Sequence, residues 1–381
     1  MSARVGLVGV NGHGRKHLHN MARLSDDGIG QITAVCDRAP IAEELWDIVT
    51  DHGGQVFQSY DTMIAEANLD IVVIATPPHV HRAMACAAMT AGIDVLLEKP
   101  PTVRLADLEE VSATATRTGQ LCQVGFQSLG SAALDEISDL LKNQVLGEVS
   151  MVSAAGAWIR RPSYFSRGPW TGRRFLDGVA VGDGALSNPF AHALMNCLSV
   201  ATADGLSVAR DVVVEMFHAN NIESDDSSAL RVVLDNGRTI AIAVTLCADE
   251  LLDPYVLVQG SVADAVWRYT TGALELHPHG EPTRVVPLGQ SIDLLADLIA
   301  VRSGARAHLR CPIDACRGFT AITESLLNDA VVRPISADYV TCATDESDAP
   351  MIVPGIAALV QRAAAEGALF SELDVPWCPV G

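Results

Sequence analysis

The chain is short of lysine, of positive charge and of long apolar runs, and each shortage narrows what it can be. Lysine occurs only at Lys16, Lys99 and Lys142, although 26 residues are basic. Against these stand 46 acidic residues, for a formal net charge of -20. Such a charge repels a phosphate backbone or an anionic membrane, so neither nucleic acid nor membrane is an expected partner. No apolar run approaches the roughly 18–20 residues that a spanning helix needs. No basic segment leading into a short apolar core opens the chain, so a cytoplasmic protein is expected. CxxC pairs are missing too: nine cysteines stand singly, the closest being Cys311 and Cys316, with no histidine at a zinc-like spacing. Reduced, mostly buried thiols and no metal site are the expectation. Internal repeats, low-complexity tracts and long linkers are absent.

What is present fits two folded domains. At 381 residues, 49% of them hydrophobic, with 30 glycines and 18 prolines, the chain exceeds one ordinary core. "RVGLVGV" is apolar on both faces and too short for a helix, hence a parallel-sheet strand. It runs into "GVNGHGRKHLHNMARL". Gly9, Gly12 and Gly14 permit a tight turn and a close approach of backbone to phosphate, with a helix N-terminus facing it, while Asn11 takes the middle glycine position of the GxGxxG fingerprint. "ITAVCDR" is a second strand ending in Asp37, 23 residues after Gly14. That is close to the distance at which an acidic residue meets the adenosine ribose, which favours NAD; Arg38 keeps NADP open, since a guanidinium there can hold a 2′-phosphate.

Three further short apolar runs, "DIVVIAT", "DVLLEKP" and "LCQVGFQ", alternate with helical stretches. This is the rhythm of right-handed βαβ crossovers in a doubly wound parallel sheet, whose ligands sit beyond the carboxyl ends of the strands. Ala75, Thr76, Pro77, His79, Glu98, Lys99 and Gln127 all fall on that edge.

The motifs "GVNGHG", "VCDR", "ATPPHVH" and "LLEKP", in that order, resemble the glucose-fructose oxidoreductase, inositol dehydrogenase and MocA (Gfo/Idh/MocA) family of NAD(P)-dependent oxidoreductases. The resemblance implies an NAD(P)-binding Rossmann domain over residues 1–128. It implies cofactor contacts from Gly9, Asn11, Gly12, His13, Gly14, Asp37, Arg38, Ala75, Thr76, Pro77, His79, Glu98, Lys99 and Gln127. It also makes Lys99 the lysine that reaches substrate and nicotinamide, and a cis peptide between Lys99 and Pro100 is expected. Independently, a lysine here, in a chain that otherwise relies on arginine, suits a group that must tune or exchange its proton.

Beyond residue 128 strands follow one another with little helix between them, and "DNGR" is a hairpin turn. Residues 129–381 are expected to form an α+β substrate-binding and oligomerisation domain with a large, mostly antiparallel open sheet. Helical patterns flank it at 131–143, in "SIDLLADLIAVRSG", in "GFTAITESLLNDAV" and in a closing segment that ends in Pro379, Val380 and Gly381, whose helix is free to pack back towards the first domain. Relatives present such a sheet's open face to a second subunit, so a homodimer or homotetramer is expected.

"VGDGALSNPFAHALMN" resembles the family's Gly-x-Leu-x-Asp-x-Gly-x-His opening of a helix, with Gly184, Leu186, Asn188 and His192 in register and Phe190 in the place of a glycine. Asn188 and His192 are expected on one helix face. Asn188, where the family has aspartate, orients a hydroxyl without accepting a proton, and His192 is the side chain suited to proton transfer near neutral pH. "WIRRPSYFSRGPWTGRRF" sets Arg160, Arg161, Arg167, Arg173 and Arg174 among Trp158, Tyr164, Phe165 and Trp170. It reads either as a wall for a polyhydroxylated ligand, with Arg160, Tyr164 and Trp170 as its contacts, or as a loop whose arginines pair with surface acids.

The expected activity is hydride transfer between nicotinamide and a secondary alcohol of a sugar, cyclitol or related polyol, with Lys99, His192 and Asn188 in the chemistry. Two alternatives stand beside it: an NAD-dependent glycoside hydrolase on the same fold, and a non-catalytic dinucleotide sensor.

Overall fold

Short runs of β-branched and aliphatic residues form a six-stranded sheet of β1 (Ala3–Val8), β2 (Gly30–Cys36), β3 (Gln55–Phe57), β4 (Ile71–Ile74), β5 (Asp94–Leu97) and β6 (Cys122–Val124). Its order is β3-β2-β1-β4-β5-β6, every pair parallel, and β4 and β5 are buried along their whole length. That two-sided burial is why these strands read as unbroken apolar runs. Crossovers carry α1 (Gly14–Asp26), α2 (Glu43–Asp51), α3 (Tyr60–Glu66), α4 (His81–Thr90) and α5 (Leu105–Thr118). The order reverses between β1 and β4, the switch point at which such sheets bind ligands.

The computed structural model describes residues 2–205, 207–342 and 347–378, so Pro379, Val380 and Gly381 lie outside the described residues. It divides the chain into two units, Met1–Gly130 with Ile292–Thr320, and Ser131–Ser291 with Ala321–Gly381. The sequence placed all of 129–381 in one second domain; Ile292–Thr320 instead belongs with the parallel sheet. Specific bonds tie it there. Ile292 N–H donates to Gly130 O (2.7 Å), the Gln123 amide donates to Leu294 O and Asp297 (2.9 Å each), and Leu294, Leu295 and Leu298 join the core formed by Val5, Ile71 and Leu96.

The second unit begins with α6 (Ala132–Lys142), β7 (Val149–Ile159) and the single turn α7 (Pro162–Phe165). A two-residue ribbon, β8 (Phe175–Leu176) and β9 (Val179–Ala180), precedes α8 (Ala191–Ala201). Then come β10 (Ala209–His218), β11 (Ser227–Leu234), β12 (Thr239–Thr245), β13 (Cys247–Gly260), β14 (Ala263–Arg268), β15 (Ala273–Pro278) and β16 (Arg284–Val285). After α9 (Leu294–Arg302), which serves the first unit, follow α10 (Arg317–Asp329), β17 (Val332–Pro334) and α11 (Ile356–Glu366). The nine-stranded sheet runs β16-β15-β14-β13-β7-β12-β11-β10-β17, antiparallel except for the β7–β12 and β10–β17 pairs. Asn236 and Gly237 turn the β11–β12 hairpin, Gly237 at φ +85.

At its centre both faces of this sheet are covered. On one face Gly156 lets Phe190 and α8 lie close, since a Cβ there would fall 2.5 Å from the Phe190 ring. On the other, Ala155, Ala157, Ala229 and Ala243 meet Ile356, Val360, Ala363 and Ala364 of α11, with Phe370 and Trp377 of the tail packed on Phe217. The closing helix therefore packs on its own unit's sheet, because alanines there let a helix approach and its apolar stripe matches them. Among the described residues no helix is long and apolar enough to cross a membrane.

Candidate functional site

In the first unit, the strand ends gather every cofactor candidate on one edge. Gly9 has φ +86, and a Cβ on it would lie 2.4 Å from Ala75 O; one on Gly14 would lie 2.1 Å from Gly9 O. Both glycines are demanded by the turn itself. Gly12 is different: a Cβ there meets nothing of the chain within 4 Å, so its missing side chain leaves open the space beside the N-terminus of α1. This is the cradle a pyrophosphate fits, with backbone N–H groups and the positive end of the helix dipole facing it. Asn11 N–H and Ala39 N–H both donate to Asp37 (3.0 Å each), fixing the carboxylate just past β2, and the Asn11 side chain bonds Pro40 O and Ala42 N. Arg38 is exposed and its charge, added to burial, lowers the pKa of His79.

Glu98 is the hub of this edge. It is 5% exposed, and its carboxylate accepts from His17 (2.7 Å), from the Gln127 amide (2.9 Å) and from Lys99 N–H (3.0 Å), with His13 3.8 Å away. Burial works to raise its pKa, but the His17 hydrogen bond and the positive charges of His17, His13 and Lys99 outweigh it and bring it to about 2. The Lys99–Pro100 peptide is cis, as expected. His81, fully buried, sets its ring nitrogens against Pro100 O (3.0 Å) and Thr76 O (2.8 Å), so it ties the turn after β4 to the turn after β5; burial lowers its pKa. Neither His17 nor His81 was singled out from the sequence, because their partners lie far along the chain. Their spacing after the glycine loop and inside "HVH" is the signal that was there to use.

Ligand atoms of His13, His17 and Glu98 lie within 4.8 Å of one another, an arrangement that could hold a divalent ion. A hydrogen-bonding proton on His17 accounts for the 2.7 Å contact without one.

In the second unit, the loop before α8 departs from the expected geometry. Asn188 is not on the helix: α8 begins at Ala191 with Phe190 as its N-cap, and Asn188 lies in the preceding turn, its N–H bonded to Gly184 O (3.0 Å). Pro189 is the reason, since a residue before proline is disfavoured in helical conformation. The i, i+4 spacing of a helix therefore does not relate the two side chains. His192 stands in the first turn of α8, its ring stacked on Tyr269 with centroids 6.4 Å apart. Beneath the loop, Gly184 must be glycine, because a Cβ there would fall 1.8 Å from the buried Asp225 carboxylate.

Asp183 is the residue that sequence reasoning missed. It is 5% exposed; Oδ1 accepts from Asn188 Nδ2 (2.5 Å) and Oδ2 from Gly172 N–H (2.8 Å), with Arg167 3.9 Å away. Arg167 in turn lies 3.6 Å above the Tyr164 ring and 5.2 Å from that of Trp170, and Arg160 sits 4.8 Å from the Trp158 ring and 5.1 Å from that of Tyr164. Trp158 stacks on Phe190 at 4.3 Å. Burial raises the Tyr164 pKa. Arg160, Tyr164 and Trp170 are therefore joined through Arg167 and Asp183 to Asn188. The other arginines part from them. Arg174 bonds Ala330 O, Leu326 O and Leu327 O at the end of α10, Arg161 donates to Asp348 O, and Arg173 is exposed.

A doubly wound sheet with a glycine cradle at its switch point defines a dinucleotide-binding domain. Residues 3–126 match the model of the oxidoreductase family with an NAD-binding Rossmann fold (Gfo/Idh/MocA). A glycosyl hydrolase family 109 protein of Shewanella amazonensis is 34% identical over 131 residues, 32% of this chain and 28% of that protein. Inositol 2-dehydrogenase 1 of Saccharopolyspora erythraea is 33% identical over 134 residues, 33% of this chain and 37% of that one. The chain thus spans about a third of the length of these curated relatives. An inositol dehydrogenase homolog from Azotobacter vinelandii, solved with NAD+, shares the fold at TM-score 0.72 and 17% identity, covering 87% of this chain and 95% of that one.

Proposed function

We propose that the protein is an NAD(P)-dependent oxidoreductase that transfers a hydride between nicotinamide and a secondary alcohol or ketone of a sugar, cyclitol or related polyol, with NAD as the preferred cofactor. The observation that carries it is the Glu98 hub, which holds the Lys99 backbone on the cofactor edge of a family-matched NAD-binding domain. The relatives named inositol dehydrogenase act in the same chemical class.

A nicotinamide dinucleotide held at the glycine cradle and Asp37 would supply the hydride chemistry. Lys99 would bring its charge to the reacting oxygen and favour alkoxide character there. His192 takes the hydroxyl proton, and Asn188 orients a neighbouring hydroxyl. A panel of sugars, uronates and inositols, screened for NAD(H)- or NADP(H)-linked absorbance change, tests the reading; turnover by no member rejects it.

The Shewanella relative keeps a second reading in view, glycoside hydrolysis with transient oxidation by tightly held NAD. Release of aryl alcohol from an aryl glycoside with no added NAD and no net absorbance change would establish that reading instead. A homo-oligomer remains part of the proposal, and pairing through the nine-stranded sheet would use its outer strands, where Val213 of β10 and Val285 of β16 are exposed. A reducing, cytoplasmic setting suits nine cysteines none of which is in a disulfide.

A further inference from the structure

We propose that Arg160 is the receptor for an anionic group, carboxylate or phosphate, on the substrate, so that the polyol handled by this site is an acid or a phosphate ester rather than a neutral sugar. The inference rests on the oxidoreductase reading of the same site and narrows its substrate class.

The chain carries 46 acidic residues against 26 basic ones, so an arginine near its surface ordinarily finds a carboxylate. The neighbours of Arg160 are committed elsewhere: Arg167 to Asp183, Arg174 to three carbonyls, Arg161 to Asp348 O. Arg160 has no carboxylate within ion-pair distance among the described residues. Its Nη1 donates to Ile159 O at 3.2 Å, and its Nε is shut off from solvent with no hydrogen-bond partner. A guanidinium with a buried, unmet N–H carries a desolvation cost that a ligand oxygen relieves. The flanking Trp158 and Tyr164 rings hold the planar guanidinium in place without neutralising its charge, which suits recognition of a carboxylate or phosphate. The connection to the reacting end is direct: Tyr164 also carries Arg167, Arg167 faces Asp183, and Asp183 holds Asn188. An anion on Arg160 therefore sits at one end of a continuous surface whose other end orients the hydroxyl.

The test uses the full chain loaded with NAD and matched sets of probes: glucose, glucuronate and glucose 6-phosphate; galactose, galacturonate and galactose 6-phosphate; and the pair myo-inositol and inositol 1-phosphate. Binding is read by calorimetry and turnover by nicotinamide absorbance. At least one anionic probe is expected to bind about 10- to 100-fold more tightly than its neutral counterpart, the range of one charge-assisted hydrogen-bonded pair. Arg160→Gln should remove that preference by weakening the anionic probe about 10- to 100-fold relative to its neutral counterpart, and Arg160→Lys should restore part of it. The uronate and phosphate arms tell which anion is read. Absence of any charge preference across the panel, or a preference that survives Arg160→Gln, overturns the proposal. The two readings fail separately: an Arg160-dependent charge preference without any absorbance change keeps this inference and sinks the redox assignment, whereas turnover with no charge preference, or with one that survives Arg160→Gln, does the reverse.

Discussion

The Asp183 carboxylate accepts a hydrogen bond from the Asn188 amide at 2.5 Å, so a buried negative charge stands beside the position where the family motif has its aspartate. Asp183 thereby fixes which end of the Asn188 amide faces it. The consequence is that Asn188→Asp does not restore a family-like site. It sets two carboxylates in contact, and like charges that close hold a proton between them. Activity of Asn188→Asp is expected to fall at neutral pH and to recover in part as pH is lowered, whereas Asp183→Asn loses roughly ten-fold or more at all pH values because one buried charge-assisted bond is worth about 1.5–3 kcal/mol. Rate profiles of both variants from pH 5 to 9 check this; a fully active Asn188→Asp with an unchanged profile counts against it.

Lys99 has a different signature. Lys99→Ala should lower kcat/KM by about 10²–10⁴-fold, the range for a positioned acid–base or charge-stabilising group, while NAD binding changes only a few-fold. Lys99→Arg should restore only part of it, because the larger planar guanidinium keeps the charge but cannot set it against the reacting oxygen as a compact ammonium does. Fluorescence titration of the cofactor alongside steady-state rates separates the two effects.

The Glu98 hub makes stability depend on pH. Its pKa in the folded chain is lowered to about 2 from 4.5, so the stabilisation is fully present above about pH 4.5 and is lost as pH falls towards 2. Glu98→Gln should therefore melt several degrees below the parent at pH 7, with the gap closing as pH drops from 5 to 3. A gap of constant size over that range would contradict the charge-based account and leave only lost packing.

At the adenosine end, Asp37 is held by two backbone amides and needs no rearrangement to accept from ribose hydroxyls. Asp37→Ser should weaken NAD binding by roughly ten-fold, the worth of a charge-assisted bond, and shift the NADP:NAD preference upwards because Arg38 then lacks a competing carboxylate. Dissociation constants for both cofactors with parent and variant decide it.

How legible these features were differs by element. The fully buried β4 and β5 announced themselves as apolar runs, and the glycine loop, Asp37 and Glu98-Lys99-Pro100 were readable because each sits at a strand end whose position the βαβ rhythm dictates. β3 was missed because Gln55 and Val56 are exposed and three residues carry no pattern. The return of α9 to the first unit could not be read from its own sequence, since the Gln123 side chain that receives it is 171 residues from Leu294. Asp183 lay inside a stretch already marked as chemical, yet only the loop's three-dimensional turn, forced in part by Pro189, brings it onto Asn188. Likewise the alanines of β7 and β12 looked like ordinary strand residues until α11 was seen to pack on them.

The central claim is that hydride passes directly between a substrate carbon and the nicotinamide ring. It is tested most directly with the best substrate of the sugar, uronate and inositol panel, deuterated at the carbon that is oxidised, by mass analysis of the recovered NADH. The account predicts deuterium on the nicotinamide ring, formed by the parent chain and not by Lys99→Ala or His192→Ala. Product formation with the label released to water, and none in the recovered cofactor, would contradict it.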